Sequence, residues 1–293
     1  MPELPEVETV RLGLRPALEG HTILEAQTRR SDLRVPFPAR FAERLKGRKV
    51  KQLSRRAKYI LAELDSGESL VIHLGMSGRI SVYTDGKQKR LGDYVYNPAP
   101  PDAGHGKHDH VVIETDAPAK IVFNDHRRFG LMVLVPTDAL DRDKLFKDIG
   151  IEPLSKKFDA RFLGSALEGK KTSIKAALLD QRIVAGLGNI YVCEALFLAR
   201  ISPKKLAGAV KKEEIAALVK AIKSVLKDAI AAGGSTLRDH AQATGDPGAF
   251  QHHFRVYDRE GKPCRNTETK CRGTIKRIAQ GGRSTFYCPS CQK

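Results

Sequence analysis

At 293 residues, with 51 Lys and Arg against 34 Asp and Glu for a net charge of +17, the chain is long enough for two cored domains plus a small module and is charged for a polyanionic partner, nucleic acid first. No apolar run approaches the ~20 residues of a membrane-spanning helix and no signal peptide precedes the charged N-terminus, which disfavours a membrane partner and makes a cytoplasmic location the expectation. Five cysteines, four of them in the last thirty residues, argue against a disulfide framework and for a metal site in a reducing compartment.

The chain starts Met1-Pro2-Glu3-Leu4-Pro5-Glu6-Val7-Glu8. A small second residue invites removal of Met1, leaving the Pro2 ring nitrogen as a free secondary amine. Such an amine titrates near ~8, so roughly a tenth is an uncharged nucleophile at pH 7. A helix is expected from Pro5, with Val7, Val10 and Leu14 on one face and its positive end near Pro2. That end disfavours a protonated amine while Glu3 and Glu6 favour it, so the sign of the shift stays open. Glu3 could serve as an acid only in a dry site that raises its pKa well above ~4.3. The plain alternative is a helix start with no chemistry.

From about 21 to 135 the pattern is largely period two, with strands expected at 58–64, 69–73, 79–83, 110–114, 120–124 and 131–135 and a short helix at 39–45. An all-β sandwich or flattened barrel beside the first helix is the economical fold. Residues 86–107 carry no periodicity and read as a long loop. Ser54-Arg55-Arg56-Ala57-Lys58-Tyr59 is a basic cluster entering a strand. In His73-Leu74-Gly75-Met76-Ser77-Gly78 the glycines suggest a loop tip, where Met76 could be a wedge for a base stack and not core filler. Lys107-His108-Asp109-His110 sets two histidines at i, i+2 on a strand, pointing the same way; phosphate contact or plain exposure is favoured over a metal pair. Asn124-Asp125-His126-Arg127-Arg128-Phe129-Gly130 sets guanidiniums and a ring before a glycine, suited to filling a gap in a duplex or to an ordinary polar turn.

Residues 136–170 are charged and irregular, with Ile149–Leu154 as the linker. A helical half follows. Two helices are expected around the turn Val184-Ala185-Gly186-Leu187-Gly188-Asn189, the second starting near Asn189 with Ile190, Cys193 and Phe197 inward and Cys193 a buried thiol. Gly186 and Gly188 would let helix-start amides approach a phosphate, and Asn189 would add a donor. Ile215, Leu218, Val219, Ile222, Val225, Leu226 and Ile230 form a core stripe closed by Gly233-Gly234.

In the last 43 residues, two residues separate Cys288 from Cys291, while six separate Cys264 from Cys271. Four thiolates with residues 265–270 looped out would suit zinc, with His252 and His253 as fallback ligands. Thr274–Ala279 and Ser284–Tyr287 read as hairpin strands, with Arg283 at their turn.

The N-terminal string, the segments around Lys58, His73 and Arg127, the stretch Leu178–Phe197 and the Gly233–Asp239 loop together resemble bacterial formamidopyrimidine-DNA glycosylases. The resemblance implies an α+β protein: an N-terminal helix with a β-sandwich catalytic domain at 1–135, a linker region at 136–170, a helix-two-turns-helix DNA-binding domain at 171–250 and a zinc finger at 251–293. It implies excision of oxidised purines from damaged double-stranded DNA through a Schiff base on Pro2, followed by β,δ-elimination, by a monomer at the nucleoid. Glu3 would assist sugar opening, Lys58 would donate a proton in β-elimination, and Arg283 would bind phosphate and serve δ-elimination. His73, His108, Lys171 and Asn189 would hold the DNA. Met76, Arg127 and Phe129 would fill the space left by the flipped nucleotide, and the Gly233–Asp239 loop would close over the extruded base. Cys264, Cys271, Cys288 and Cys291 would bind one structural zinc, although the family's usual spacing between the first two is two residues. The alternatives are the sister enzyme for oxidised pyrimidines, disfavoured by Glu3–Glu6 and Arg127–Phe129, and a zinc-ribbon DNA-binding protein without catalysis. Pro2 discriminates the last.

Overall fold

The structure, a computed structural model, describes residues 2–91, 93–236, 242–267 and 270–293. The chain divides into two compact units, Met1–Lys147 with Ala232–Ala249, and Asp148–Ala231 with Phe250–Lys293. No helix among the described residues is long and apolar enough to cross a membrane.

The first unit begins with α1 (Leu4–Leu18), followed by β1 (Ile23–Thr28), α2 (Phe41–Leu45), β2 (Val50–Arg56), β3 (Tyr59–Leu64), β4 (Glu68–His73), β5 (Arg79–Thr84), β6 (Lys89–Leu91), β7 (Tyr94–Tyr96), β8 (Asp109–Thr115), β9 (Ala119–Asn124) and β10 (Leu131–Pro136). Leu4, Val7, Val10, Leu14 and Leu18 recur at helical spacing, and each is at most 1% exposed. Burying such side chains contributes about 2 kcal/mol apiece, which is why α1 lies against the sheets and not in solvent. Two antiparallel four-stranded sheets, β1-β8-β9-β5 and β10-β4-β3-β2, share one core with α1 that includes Leu14, Ile23, Ile60, Leu70, Ile80 and Phe123.

Residues 86–107 are not the patternless loop that the sequence suggests. They contain the hairpin β6–β7, whose strands of three residues are too short to display a period-two signal. The hairpin is anchored: Tyr96 is fully buried, and Thr84 N–H donates to Asn97 O at 3.0 Å. A second difference lies at His110, where the β8–β9 register shifts between Asp109 and Val111. His110 is buried and His108 half-buried beside it, their rings 6.4 Å apart.

The second unit holds α3 (Ala160–Leu167), α4 (Ile174–Leu179), α5 (Asn189–Leu198), α6 (Lys212–Ala231), β11 (Lys276–Gln280) and β12 (Arg283–Tyr287). The stretch expected to be irregular thus contains α3, capped by Asp159, whose Oδ1 accepts from Phe162 N–H at 2.7 Å. Thr137–Arg142, in the first unit, forms a 3-10 turn. The apolar face of α3 is clear, with Leu163 and Leu167 buried at i, i+4, but eight residues give only two turns in which to read it. Helix α5 is buried all round from Ile190 to Phe197, so Ile190, Cys193 and Phe197 face inward together with Tyr191 and Glu194. The α6 stripe is core as its spacing predicts, with Ile215, Leu218, Val219, Ile222, Val225 and Leu226 buried.

Candidate active site and nucleic-acid interface

At the chain start, Pro2 is buried and Glu3 is 4% exposed. Glu3 is the N-cap of α1 in a reciprocal capping box: its carboxyl accepts from the Glu6 backbone, and its own N–H donates to Glu6 Oε2 at 2.9 Å. Glu6 does more than begin a helix. Its Oε1 also accepts from Ser235 N–H at 2.8 Å and Ser235 Oγ at 2.9 Å, tying the helix start to the segment after α6. Of the Gly233–Asp239 loop, residues 237–239 lie outside the described residues.

Lys58 is 7% exposed in the two-residue turn joining β2 to β3. Ala57, at φ 51°, occupies a position of that turn that favours glycine. The turn is braced by Arg55, which donates from NH1 to Ala57 O at 2.7 Å and from Nε to Glu8 at 3.0 Å. His73, at the end of β4, lies 4.8 Å from the Tyr59 ring and accepts Gly75 N–H on Nδ1 at 3.0 Å. Burial, then the charges of Lys58 and Arg34, push its pKa down to about 4. The imidazole is therefore neutral at pH 7, a donor through Nε2 and not a cation.

Met76 and Phe129 are each 45% exposed, unusual for apolar side chains of this size, and they project from two loops that touch. A Cβ at Gly75 would lie 2.3 Å from the Phe129 carbonyl carbon, so only glycine lets the loops meet. Asp125, fully buried, clasps them: Oδ1 accepts Ser77 Oγ at 2.5 Å and Oδ2 accepts Gly130 N–H at 2.7 Å. Ser77 Oγ in turn accepts Arg127 N–H at 3.2 Å, and the Arg127 guanidinium lies 4.7 Å from the Phe129 ring centre. His110 Nε2 donates to Asp125 O at 2.8 Å from behind. Met76, Arg127 and Phe129 thus form one exposed knob on a buried polar base. His108 stands beside it, its ring 6.2 Å from that of His126.

In the second unit, Asn189 is the first residue of α5 after the cap Gly188, and its Nδ2 donates to Ser284 O at 2.9 Å. Arg283 is exposed, paired with Gln280 across Gly281 and Gly282, both at positive φ as a tight hairpin turn requires. The hairpin arginine and the α5 start are therefore brought together. Lys175, 1% exposed, reinforces this junction with Nζ 2.6 Å from Thr285 Oγ1 and 3.2 Å from Ser284 O. Lys171 is exposed just before α4 and makes no such contribution. Glu194, fully buried on α5, accepts backbone N–H groups of Arg255, Val256 and Tyr257 at 2.9 Å each. Burial pushes its pKa up against those bonds. Asp125, Lys175, Glu194 and the bond from Glu6 to Ser235 escape sequence reading because they join partners remote in the chain; for Lys175 and Glu194 a charged residue at an inward helical position is the one local signal.

The Sγ atoms of Cys264, Cys271, Cys288 and Cys291 all lie within 4.8 Å of one another, with Cys264–Cys291 and Cys271–Cys288 both at 3.7 Å. Four thiolates ~2.3 Å from one tetrahedral zinc stand about 3.8 Å apart, so the set fits zinc despite the six-residue spacing. Burial pushes the Cys264 thiol up to about 11, a cost that a bound divalent cation offsets by favouring the thiolate. His252 and His253 are exposed and outside this group.

Family models match the chain in three places: the formamidopyrimidine-DNA glycosylase N-terminal domain at residues 1–132, the formamidopyrimidine-DNA glycosylase H2TH domain at 149–241, and the zinc finger found in FPG and IleRS at 261–293. A formamidopyrimidine-DNA glycosylase of Cereibacter sphaeroides is 56% identical over 294 residues, with 100% of both chains covered. Among solved structures, wild-type Lactococcus lactis Fpg (MutM) in complex with N7-benzyl-Fapy-dG-containing DNA matches with a TM-score of 0.84 and 33% identity over 100% of each chain. The MutM (Fpg) protein from Thermus thermophilus matches at 0.82 and 36% identity, covering 99% of this chain and 98% of that one.

Proposed function

Because the chain belongs to the formamidopyrimidine-DNA glycosylase family, we propose that it excises 8-oxoguanine and formamidopyrimidines from duplex DNA and then cleaves the strand as an AP lyase. The observation that carries this reading is Pro2 beside Glu3 in a buried N-terminus fixed by Glu6. With Met1 removed, the Pro2 nitrogen attacks C1′ of the damaged nucleotide; the N–C1′ bond forms as the glycosidic bond breaks and the base departs. The attacking nitrogen sheds its N–H proton, and Glu3 gives a proton to O4′ as the C1′–O4′ bond opens, leaving an iminium ion, a Schiff base without N–H, on Pro2. The imine acidifies the C2′ proton, so β-elimination releases the 3′ phosphate with Lys58 as proton donor. Arg283 supports the following δ-elimination, which releases the 5′ phosphate.

Extruding a nucleotide costs a few kcal/mol, and the knob of Met76, Arg127 and Phe129 offsets this by filling the vacated stack, with Arg127 reading the widowed base. His73, His108, Lys171 and Asn189 bind the DNA backbone. Zinc on Cys264, Cys271, Cys288 and Cys291 stabilises the hairpin that carries Arg283 and takes no part in the chemistry. The protein works as a cytoplasmic monomer at the nucleoid, without a membrane partner. Borohydride should trap the mature protein on duplex DNA carrying 8-oxoguanine opposite cytosine, with the adduct mapped to Pro2; an adduct on Lys58 would refute the assigned nucleophile.

A further inference from the structure

Helix α1 lacks one of its own backbone bonds. Pro16 lies inside it and supplies no N–H for the Leu12 carbonyl. Beyond their own bonds, such as Glu19 N–H to Arg15 O at 2.9 Å, the last turns are also held by other elements. Thr115 Oγ1 donates to Ala17 O at 2.9 Å, and Tyr96 donates its phenol hydrogen to Gly13 O at 2.6 Å; both bonds are buried. Burial pushes the phenol pKa up, so Tyr96 stays protonated and remains a donor.

Gly13 is also the point where a second segment meets α1. A Cβ built there would lie 2.9 Å from Ala243 Cβ, and Ala243 is fully buried with its carbonyl accepting Val82 N–H at 2.9 Å. Tyr96 reaches this point from β7, whose continuation is fastened to β5 by Thr84 N–H to Asn97 O at 3.0 Å and Ala99 N–H to Thr84 O at 3.1 Å. From Gly13 to Glu6 is about 10 Å of helix, two turns, and a helix transmits axial displacement as a rod. Glu6 binds both Glu3 N–H and Ser235.

We propose that Tyr96 is a positioning residue for the N-terminal chemistry: by holding Gly13 O and seating α1 against Ala243, it sets the register at which the helix presents Pro2 and Glu3. The hairpin β6–β7 thereby acquires a role in the reaction although it supplies no reacting group. This inference rests on Pro2 as the nucleophile.

The test uses full-length protein and duplex DNA containing 8-oxoguanine, measuring the single-turnover excision rate, DNA affinity and thermal midpoint. Tyr96→Phe should slow excision roughly tenfold while affinity stays within about twofold, since small misplacements of a reacting group act on the chemical step and not on binding. Gly13→Ala, which pushes Ala243 from the other side, should give the same signature and combine with Tyr96→Phe less than additively. Arg90→Ala, on the exposed part of the hairpin, should change nothing. Should Tyr96→Phe fail to fold, Gly13→Ala carries the test alone. An excision rate equal to wild type, or one that falls only in proportion to folded protein or to affinity, overturns the proposal. Wild-type protein trapped elsewhere than at Pro2 overturns the underlying reading, whereas trapping at Pro2 with unaltered Tyr96→Phe and Gly13→Ala rates overturns this inference alone.

Discussion

His73 illustrates how one hydrogen bond decides what a side chain can offer. Because Nδ1 accepts Gly75 N–H and burial with Lys58 and Arg34 pushes the pKa down to about 4, the folded protein holds the ring neutral where an unfolded chain, near ~6.5, would protonate it. Between those values the unfolded state binds more protons, so stability rises with pH and is lost as pH falls from about 6.5 through 4, by roughly 3 kcal/mol at most. His73→Asn keeps an acceptor for Gly75 and removes the titration. The urea midpoint of the variant should therefore drop less than that of wild type between pH 7 and pH 4.5; parallel drops would show that His73 is not the group responsible. A neutral ring brings no net charge to a DNA phosphate, so the same variant should leave the salt dependence of DNA binding unaltered.

The two loops clasped by Asp125 act as one element. Asp125→Ala would strand the Ser77 hydroxyl and the Gly130 amide, and loss of such a buried carboxylate acceptor costs on the order of 2–3 kcal/mol locally. It and Arg127→Ala should both blur discrimination among the bases opposite the lesion, whereas Arg283→Ala should weaken binding to all duplexes and make the salt slope shallower by about one. Equal losses across all opposing bases for Asp125→Ala and Arg127→Ala would remove the knob from base reading. At this scale the sequence was informative where a signal is local. Alternation marked β3, β4, β5, β8, β9 and β10 within a residue or two, helical spacing marked α1 and α6, and Gly281-Gly282 marked the ribbon turn. Glycines at 75 and 130 marked the loops of the knob. What stayed hidden depends on contacts between distant segments: Asp125 under the knob, the bulge at His110, Tyr96 on Gly13, and the short hairpin β6–β7 that exists because the strand and helix beside it hold it.

For the molecule as a whole, the net charge of +17 supplies general attraction to a polyanion, and the hairpin of the four-cysteine module holds Arg283 exposed at its turn. The convergence of four sulfurs across a six-residue gap predicts that Cys264→Ser loses zinc and tight DNA binding as Cys288→Ser does, measured as metal per protein and as affinity. Full zinc and activity in Cys264→Ser alone would hand its place to another ligand. The division of the chain into units has a further consequence, for synthesis on the ribosome. The first unit is interrupted in sequence: after Lys147 the nascent chain must run through Asp148–Ala231 before Ala232–Ala249 completes it. At roughly 5–20 residues per second that interval lasts several seconds. Throughout it Glu6 lacks Ser235, Gly13 lacks its neighbour Ala243, and the Val82 amide on the edge of β5 waits for a carbonyl not yet made. The domain that carries the N-terminal amine, though translated first, is thus finished only when most of the second unit's helices have already left the exit tunnel.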